Sequence, residues 1–188
     1  MSNNIMEQVN QLNRPFERHI FYHYDNPECY INNTVSYIAS GVCKGEHVML
    51  VENERNYRLI LEQLKTKVDK NQLDKVHFIN NFDFYYAHGN FHPETILSVF
   101  SQNIEAYLGD NKKVRTWGHI EWRDIEEISG CIEEYEKGVD KMVDDHSLVS
   151  VCAYDASRIT PSLKATLMRC HKVMLTDDEI IYLSKDAV

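Results

Sequence analysis

The sequence predicts an α/β fold: three layers, αβα, with a mainly parallel sheet in the middle and a β-hairpin at the C-terminal end. Three observations carry that prediction. Short apolar runs alternate with longer segments whose apolar residues recur every three or four positions, the pattern of successive βαβ units. The runs at 48–51 (VMLV) and 148–154 (LVSVCAY) are near-continuously apolar, as strands covered by helices on two sides must be. The last two runs, 173–175 and 180–183, flank the polar turn Thr176-Asp177-Asp178 and read as a hairpin.

In chain order, 19–24 (HIFYHY) is the first strand, stopped by Asp25-Asn26-Pro27. Residues 30–42 form a helix whose stripe is Ile31, Val35, Ile38 and Val42, closed by Lys44-Gly45. After strand 48–51, a second helix carries Tyr57, Leu61, Leu64 and Val68, and 76–79 is the next strand. The aromatic segment 82–91 (FDFYYAHGNF) contains a turn at His88-Gly89-Asn90 and reads as a functional loop. Pro93 opens a helix with Ile96, Phe100, Ile104, Tyr107 and Leu108 on its buried face. A strand follows, then an acidic helix whose seam is Ile125, Ile128, Ile132, Tyr135, Val139 and Met142. That seam suits either the sheet or a homodimer contact. Strand 148–154 leads to Thr160-Pro161, the cap and first turn of a last helix running to Cys170.

With 188 residues, 43% of them hydrophobic, the chain is expected to hold a polar leader at 1–13 and a single domain at 14–188. Its 20 basic and 29 acidic residues leave a net charge of −9 without a basic run, so phosphate backbones are repelled and direct nucleic-acid binding is excluded. The leader lacks an apolar signal core, and no apolar run approaches the roughly 20 residues of a membrane span. A soluble, cytoplasmic protein is expected. The five cysteines are scattered and contain no CxxC, against a disulfide framework and against a thiol-rich zinc site. His19 and His23 stand roughly 13 Å apart along one strand, too far to share an ion. His88 and His92 fit a solvated turn. Neither a metal nor another cofactor is expected.

The stretch 113–123 (KVRTWGHIEWR) organises the functional reading. It runs as a strand through Trp117 and then places Gly118, His119, Glu121 and Trp122 at the strand tip. Ligands of such sheets bind beyond the carboxyl ends of the strands. The residues gathered there are Tyr24 and Asp25, Glu52 and Asn53, Asn80 and Asp83, His119 and Glu121, and Tyr154 with Asp155 and Arg158. This rim has many acceptors and aromatics and few cations, so it suits a small neutral or cationic molecule, or simply a hydrogen-bonded cap over the core, better than a triphosphate. A nucleotide hydrolase would need GxxxxGK[ST] after the first strand, where this chain reads DNPECYIN. No GxSxG elbow occurs either. The expected pocket is bordered by Gly118, His119, Glu121 and Trp122 and completed by Tyr24, Asp25, Asn80, Tyr86 and Tyr154. His119 and Glu121, two apart, share one face of their strand.

The segments HIFYHYDNPECYINNTVSYIASGVCKGEHVMLVENE, GNF, VRTWGHIEW, EYEKGVD and VCAYD, with a later His171, together resemble the MEDS family in order and spacing, over about 19–175. The resemblance implies a degenerate relative of the KaiC and RecA ATPase fold without its phosphate-binding loop, and a role in sensing small molecules in bacterial and archaeal regulators. In the family an acidic residue often follows the glycine of the fourth strand; here His119 stands there and the acid is Glu121. Family members are often fused to DNA-binding or kinase domains. This chain has room for neither, so the resemblance implies a stand-alone, non-enzymatic sensor acting through a regulatory protein such as a kinase or transcription regulator. Two alternatives are a ligand-free interaction protein docking through the acidic helix 124–145, and a small enzyme using His119 and Glu121.

Overall fold

The computed structural model of the chain describes residues 5–12, 14–109 and 112–183. Within the stretch read as a polar leader lies a short helix, α1 (Ile5–Val9), with Ile5, Met6 and Val9 buried. Spacing of three and four puts these apolar side chains on one stripe, which removes them from water against the helix that follows.

Strand β1 (His19–Tyr24) ends in the two-residue turn Asp25-Asn26. Asn26 accepts the backbone N–H groups of Glu28 and Cys29, and Pro27 supplies a pre-set φ, so helix α2 (Pro27–Cys43) starts at once. The same device recurs along the carboxyl edge of the sheet. Strand β2 (His47–Glu52) is followed by Asn53, which caps α3 (Glu54–Leu64). After the one-turn helix α4 (Lys70–Leu73), strand β3 (Val76–Asn80) ends on Asn80, which caps α5 (Asn81–Tyr85). Helix α6 (Pro93–Leu108) leads to β4 (Val114–His119), and Asp124 caps α7 (Ile125–His146). Strand β5 (Val149–Asp155), α8 (Pro161–Cys170) and the antiparallel pair β6 (Val173–Leu175) and β7 (Ile180–Tyr182) complete the described fold.

The seven strands lie in the order β3-β2-β4-β5-β1-β6-β7, parallel except for the last pair. The predicted α/β class, parallel sheet and terminal hairpin are therefore all present. Because strand side chains alternate, each strand feeds two cores. Ile20, Tyr22, Leu50, Trp117 and Val151 pack under α1, α2 and α3, whereas Phe21, Met49, Cys152 and Tyr154 pack under α6, α7 and α8. Both cores are rich in aromatics, each of which buries about 150–250 Å².

One expectation changes, and the α7 seam takes the first of its two readings. The segment 82–91 is not an open loop: its first residues belong to α5, and Phe84, Tyr85, Tyr86 and Phe91 are buried in the α7-side core. The seam of α7 is spent within the chain, with Ile128, Ile132, Tyr135 and Val139 buried and Met142 partly so. Among the described residues, no helix is long and apolar enough to cross a membrane.

Candidate functional site at the carboxyl rim

Strands β2 and β4 are neighbours, yet β2 passes the chain to α3 on one face and β4 passes it to α7 on the other. Connections leaving in opposite directions open a crevice between two strand tips. Glu52 ends β2 and His119 ends β4, both buried and both on the α2 face. His119 Nδ1 lies 2.6 Å from Glu52 Oε1 and its Nε2 lies 2.8 Å from the Tyr24 hydroxyl. Tyr30, in the first turns of α2, donates to Glu52 Oε2, and Trp117 Nε1–H donates to the Tyr30 hydroxyl at 2.9 Å. Glu52 Oε1 also accepts the Asn53 backbone N–H at 2.8 Å and the Asn56 side-chain amide at 3.2 Å. Every polar group of this chain of contacts is matched, which is what a buried network requires.

Just outside it, Glu121 accepts from the side-chain amides of Asn81 at 2.7 Å and Asn53 at 3.1 Å, with His119 Nδ1 3.9 Å away. Burial is the largest influence on His119 and works against its charged form. Glu52, then Glu121 and Asp155, outweigh it and hold the imidazole above its ordinary value. Burial also acts most strongly on Glu121, but His119 and the two asparagine amides reverse it and hold the carboxyl below its usual range. Each shift favours the charged form of its group.

An open groove of about 590 Å³ runs over this network between the strand tips and the first turns of α2 and α3. Tyr24, His119 and Glu121 reach it from the sheet, Glu28 from α2, Arg55 from α3, and Asp155 from β5. Acidic groups outnumber cations along its wall.

The predicted pocket residues divide between places. Tyr24, His119 and Glu121 come together, and His119 and Glu121 do point the same way. Gly118 faces the other core, where a Cβ would stand 2.8 Å from the Tyr85 hydroxyl, so the residue is fixed by that close approach. Trp122 is buried beneath the Arg158 guanidinium, 4.7 Å from its ring centroid. Tyr86 lies under Arg123, and its hydroxyl accepts the Arg123 backbone N–H at 3.1 Å. Tyr154 points into the interior and donates to Glu136. Asn80 is occupied as the cap of α5, and Asp25 is exposed near Asp177, whose carboxylate accepts its backbone N–H. Alternation along β4 and β5 separates these groups, because residues one apart face opposite cores.

The sequence reading did not include Glu52, Tyr30, Asn53, Asn81 or Trp117 in the pocket. Glu52 had a visible signal: an acid closing the apolar run HVMLV of β2 needs buried partners. Tyr30 had none, since it reads simply as part of a helix.

The sequence profile described as MEDS, MEthanogen/methylotroph, DcmR Sensory domain, matches residues 18–172. The chain belongs to the MEDS family. No protein among those of curated function matches it significantly. One solved structure, that of an ATPase domain, is similar to this MEDS chain with a TM-score of 0.57 over 93% of this chain and 75% of that one, at 8% identity. That likeness bears on the fold, which is RecA-like. The MEDS chain departs from a nucleotide-binding sheet at the exit of β1, where Asp25 and Asn26 alone link strand to helix and leave no room for a glycine-rich phosphate cradle.

Proposed function

We propose that this MEDS domain senses a small polar molecule, cationic or neutral, which it takes into the groove between β2, β4, α2 and α3, and that it relays occupancy to a regulatory protein. The observation that carries the reading is the groove itself, lying at the topological switch point over a fully matched network. Glu28, Glu121 and Asp155 face it against Arg55, so an amine or a polyol is favoured over a phosphate. The family's sensory character supports signalling as the outcome. Binding without turnover is the corollary. His119 has both ring nitrogens engaged, and among the described residues the groove is lined by no serine or cysteine nucleophile.

Thermal unfolding with a panel of small amines, alcohols and polyols tests the proposal. A binder present at a hundred times its dissociation constant raises stability by about 2.7 kcal/mol. The shift should be lost or weakened in Glu121→Gln and in Glu28→Gln, whose carboxylates reach the groove from the sheet and from α2. If no compound gives a saturable shift, or if the shift is unchanged in both variants, the groove is not the sensing site.

A further inference from the structure

On the opposite face of the sheet from the groove, four side chains from four elements converge in the interior. His19 opens β1, Cys152 lies in the middle of β5, Glu136 in the middle of α7, and His171 directly follows α8; all four are buried. One donor atom from each lies within 4.8 Å of the donor atoms of the other three. His19 Nε2 is 3.1 Å and His171 Nε2 is 3.4 Å from Glu136 Oε2, and Cys152 Sγ is 3.6 Å from His19 Nε2. The edges of a tetrahedron built from zinc–nitrogen, zinc–oxygen and zinc–sulfur bonds are about 3.3 to 3.7 Å.

The surroundings fix which atoms point inward. Asp140 Oδ1 lies 3.1 Å from His19 Nδ1, and the Leu167 carbonyl lies 2.8 Å from His171 Nδ1. Both partners are acceptors, so both Nδ1 atoms carry hydrogen, and each Nε2 can present a lone pair to the centre. Tyr154 donates to Glu136 Oε1, which leaves Oε2 facing the two imidazoles. This is how metal-binding histidines and carboxylates are held, with an outer partner on the atom that does not touch the ion. A second proton on His19 could bridge to Glu136, yet His171 Nε2, 3.4 Å from the same oxygen, would still make no hydrogen bond. It is the one buried side-chain nitrogen or oxygen among the described residues without a hydrogen bond.

We infer that His19, Glu136, Cys152 and His171 form a closed four-coordinate site for a divalent ion of the zinc class. Two imidazoles and a thiolate disfavour magnesium and calcium, which take oxygen ligands. The thiolate and the carboxylate together neutralise a divalent charge in a dry interior, as burial demands. With four protein donors and no open position the ion would be structural, tying β1, β5, α7 and the end of α8 together, and it would bear on the sensing groove only through the shared sheet.

The test is to unfold the full chain under reducing conditions and refold it with increasing Co²⁺. One equivalent should bind, giving tetrahedral d–d bands and a thiolate-to-cobalt charge-transfer band, and Zn²⁺ should displace it. Cys152→Ser should lose the charge-transfer band. Asp140 is half exposed, so Asp140→Asn should fold normally yet weaken the metal about 10- to 100-fold through His19. Wild-type protein that refolds and takes up neither ion overturns the site. So does a charge-transfer band that survives Cys152→Ser. Should that variant not fold, unchanged affinity in Asp140→Asn overturns it equally.

Discussion

Two clusters of histidine and glutamate lie back to back on this sheet, and they use the same residue types to opposite ends. At the rim, His119 has a partner on each nitrogen, and Glu52 has its oxygens taken by His119, Tyr30, Asn53 and Asn56. In the interior, the outer nitrogens of His19 and His171 are held by acceptors, and their inner nitrogens face one carboxylate oxygen, with His171 Nε2 unmatched. The first arrangement is complete and rigid, fit to floor a groove. The second is incomplete until a cation enters. What separates them is the partner of the far ring nitrogen, a detail of neighbouring residues and not of the histidine itself.

The largest expected effects break each cluster at its carboxylate. Glu52→Ala and Glu136→Ala should each cost about 3–5 kcal/mol, because each strands buried partners. Urea unfolding with and without one equivalent of Zn²⁺ sharpens the contrast. Added Zn²⁺ should widen the gap between wild type and Glu136→Ala, through stabilisation that only an intact site can gain, and leave the Glu52→Ala gap unchanged. Equal sensitivity in both variants would erase the distinction drawn between the clusters.

A middle-sized effect comes from strand β4, which serves both faces. In Gly118→Ala the new methyl must displace the Tyr85 hydroxyl on the α7 side, at a cost of about 1–3 kcal/mol. Its neighbours Trp117 and His119 face the other way, so binding in the groove should be unchanged once the variant is folded. A loss of binding without a loss of stability would show that the two faces are not independent. Tyr24→Phe acts on the rim alone. It removes the partner of His119 Nε2 and should cost about 1–2 kcal/mol in denaturant unfolding, insensitive to Zn²⁺.

The fold was legible because it rests on local pattern. The apolar runs, the Pro27, Pro93 and Pro161 helix starts and the polar hairpin turn are each read within a few residues. At the site, adjacency helped only along one strand: the shared direction of His119 and Glu121 follows from a spacing of two, and their meeting with Tyr24 follows from strand tips lying on one rim. Tyr154 and Trp122 lie on the same rim by sequence but face the other core, since knowing that a residue is near a strand tip does not fix its face. The interior cluster was the least legible. His19, Glu136, Cys152 and His171 sit on four elements, so no ligand spacing exists in the sequence, and considering His19 only beside His23 tests the wrong pair. The short α1 escaped because three buried apolar residues in a polar stretch make a weak periodic signal.

The smallest effect concerns pH, and it separates the rim from everything else that titrates. His119 is held above its ordinary value of 6.5 in the fold, so the stability it contributes is complete below that value and is lost as pH rises through the raised one. Glu121 is held below its ordinary value of 4.5, so its contribution is present above that value and disappears as pH falls through the lowered one. The two therefore support the fold together between about pH 4.5 and 6.5 and diverge outside it. Other histidines titrate in the same range, with His23, His47 and His77 shifted the opposite way by burial, so the total profile mixes signs. The difference between wild type and His119→Gln removes them. Glutamine can still donate to Glu52, so packing and hydrogen bonding are largely kept while the charge is lost. The difference in unfolding free energy should be greatest near pH 6 and shrink with rising pH, by no more than the about 1.4 kcal/mol per pH unit that one proton allows. A difference that grows with pH instead would mean that His119 is neutral in the folded chain, with Tyr24 donating to it, and that the groove floor carries one positive charge fewer than its geometry with Glu52 and Glu121 implies.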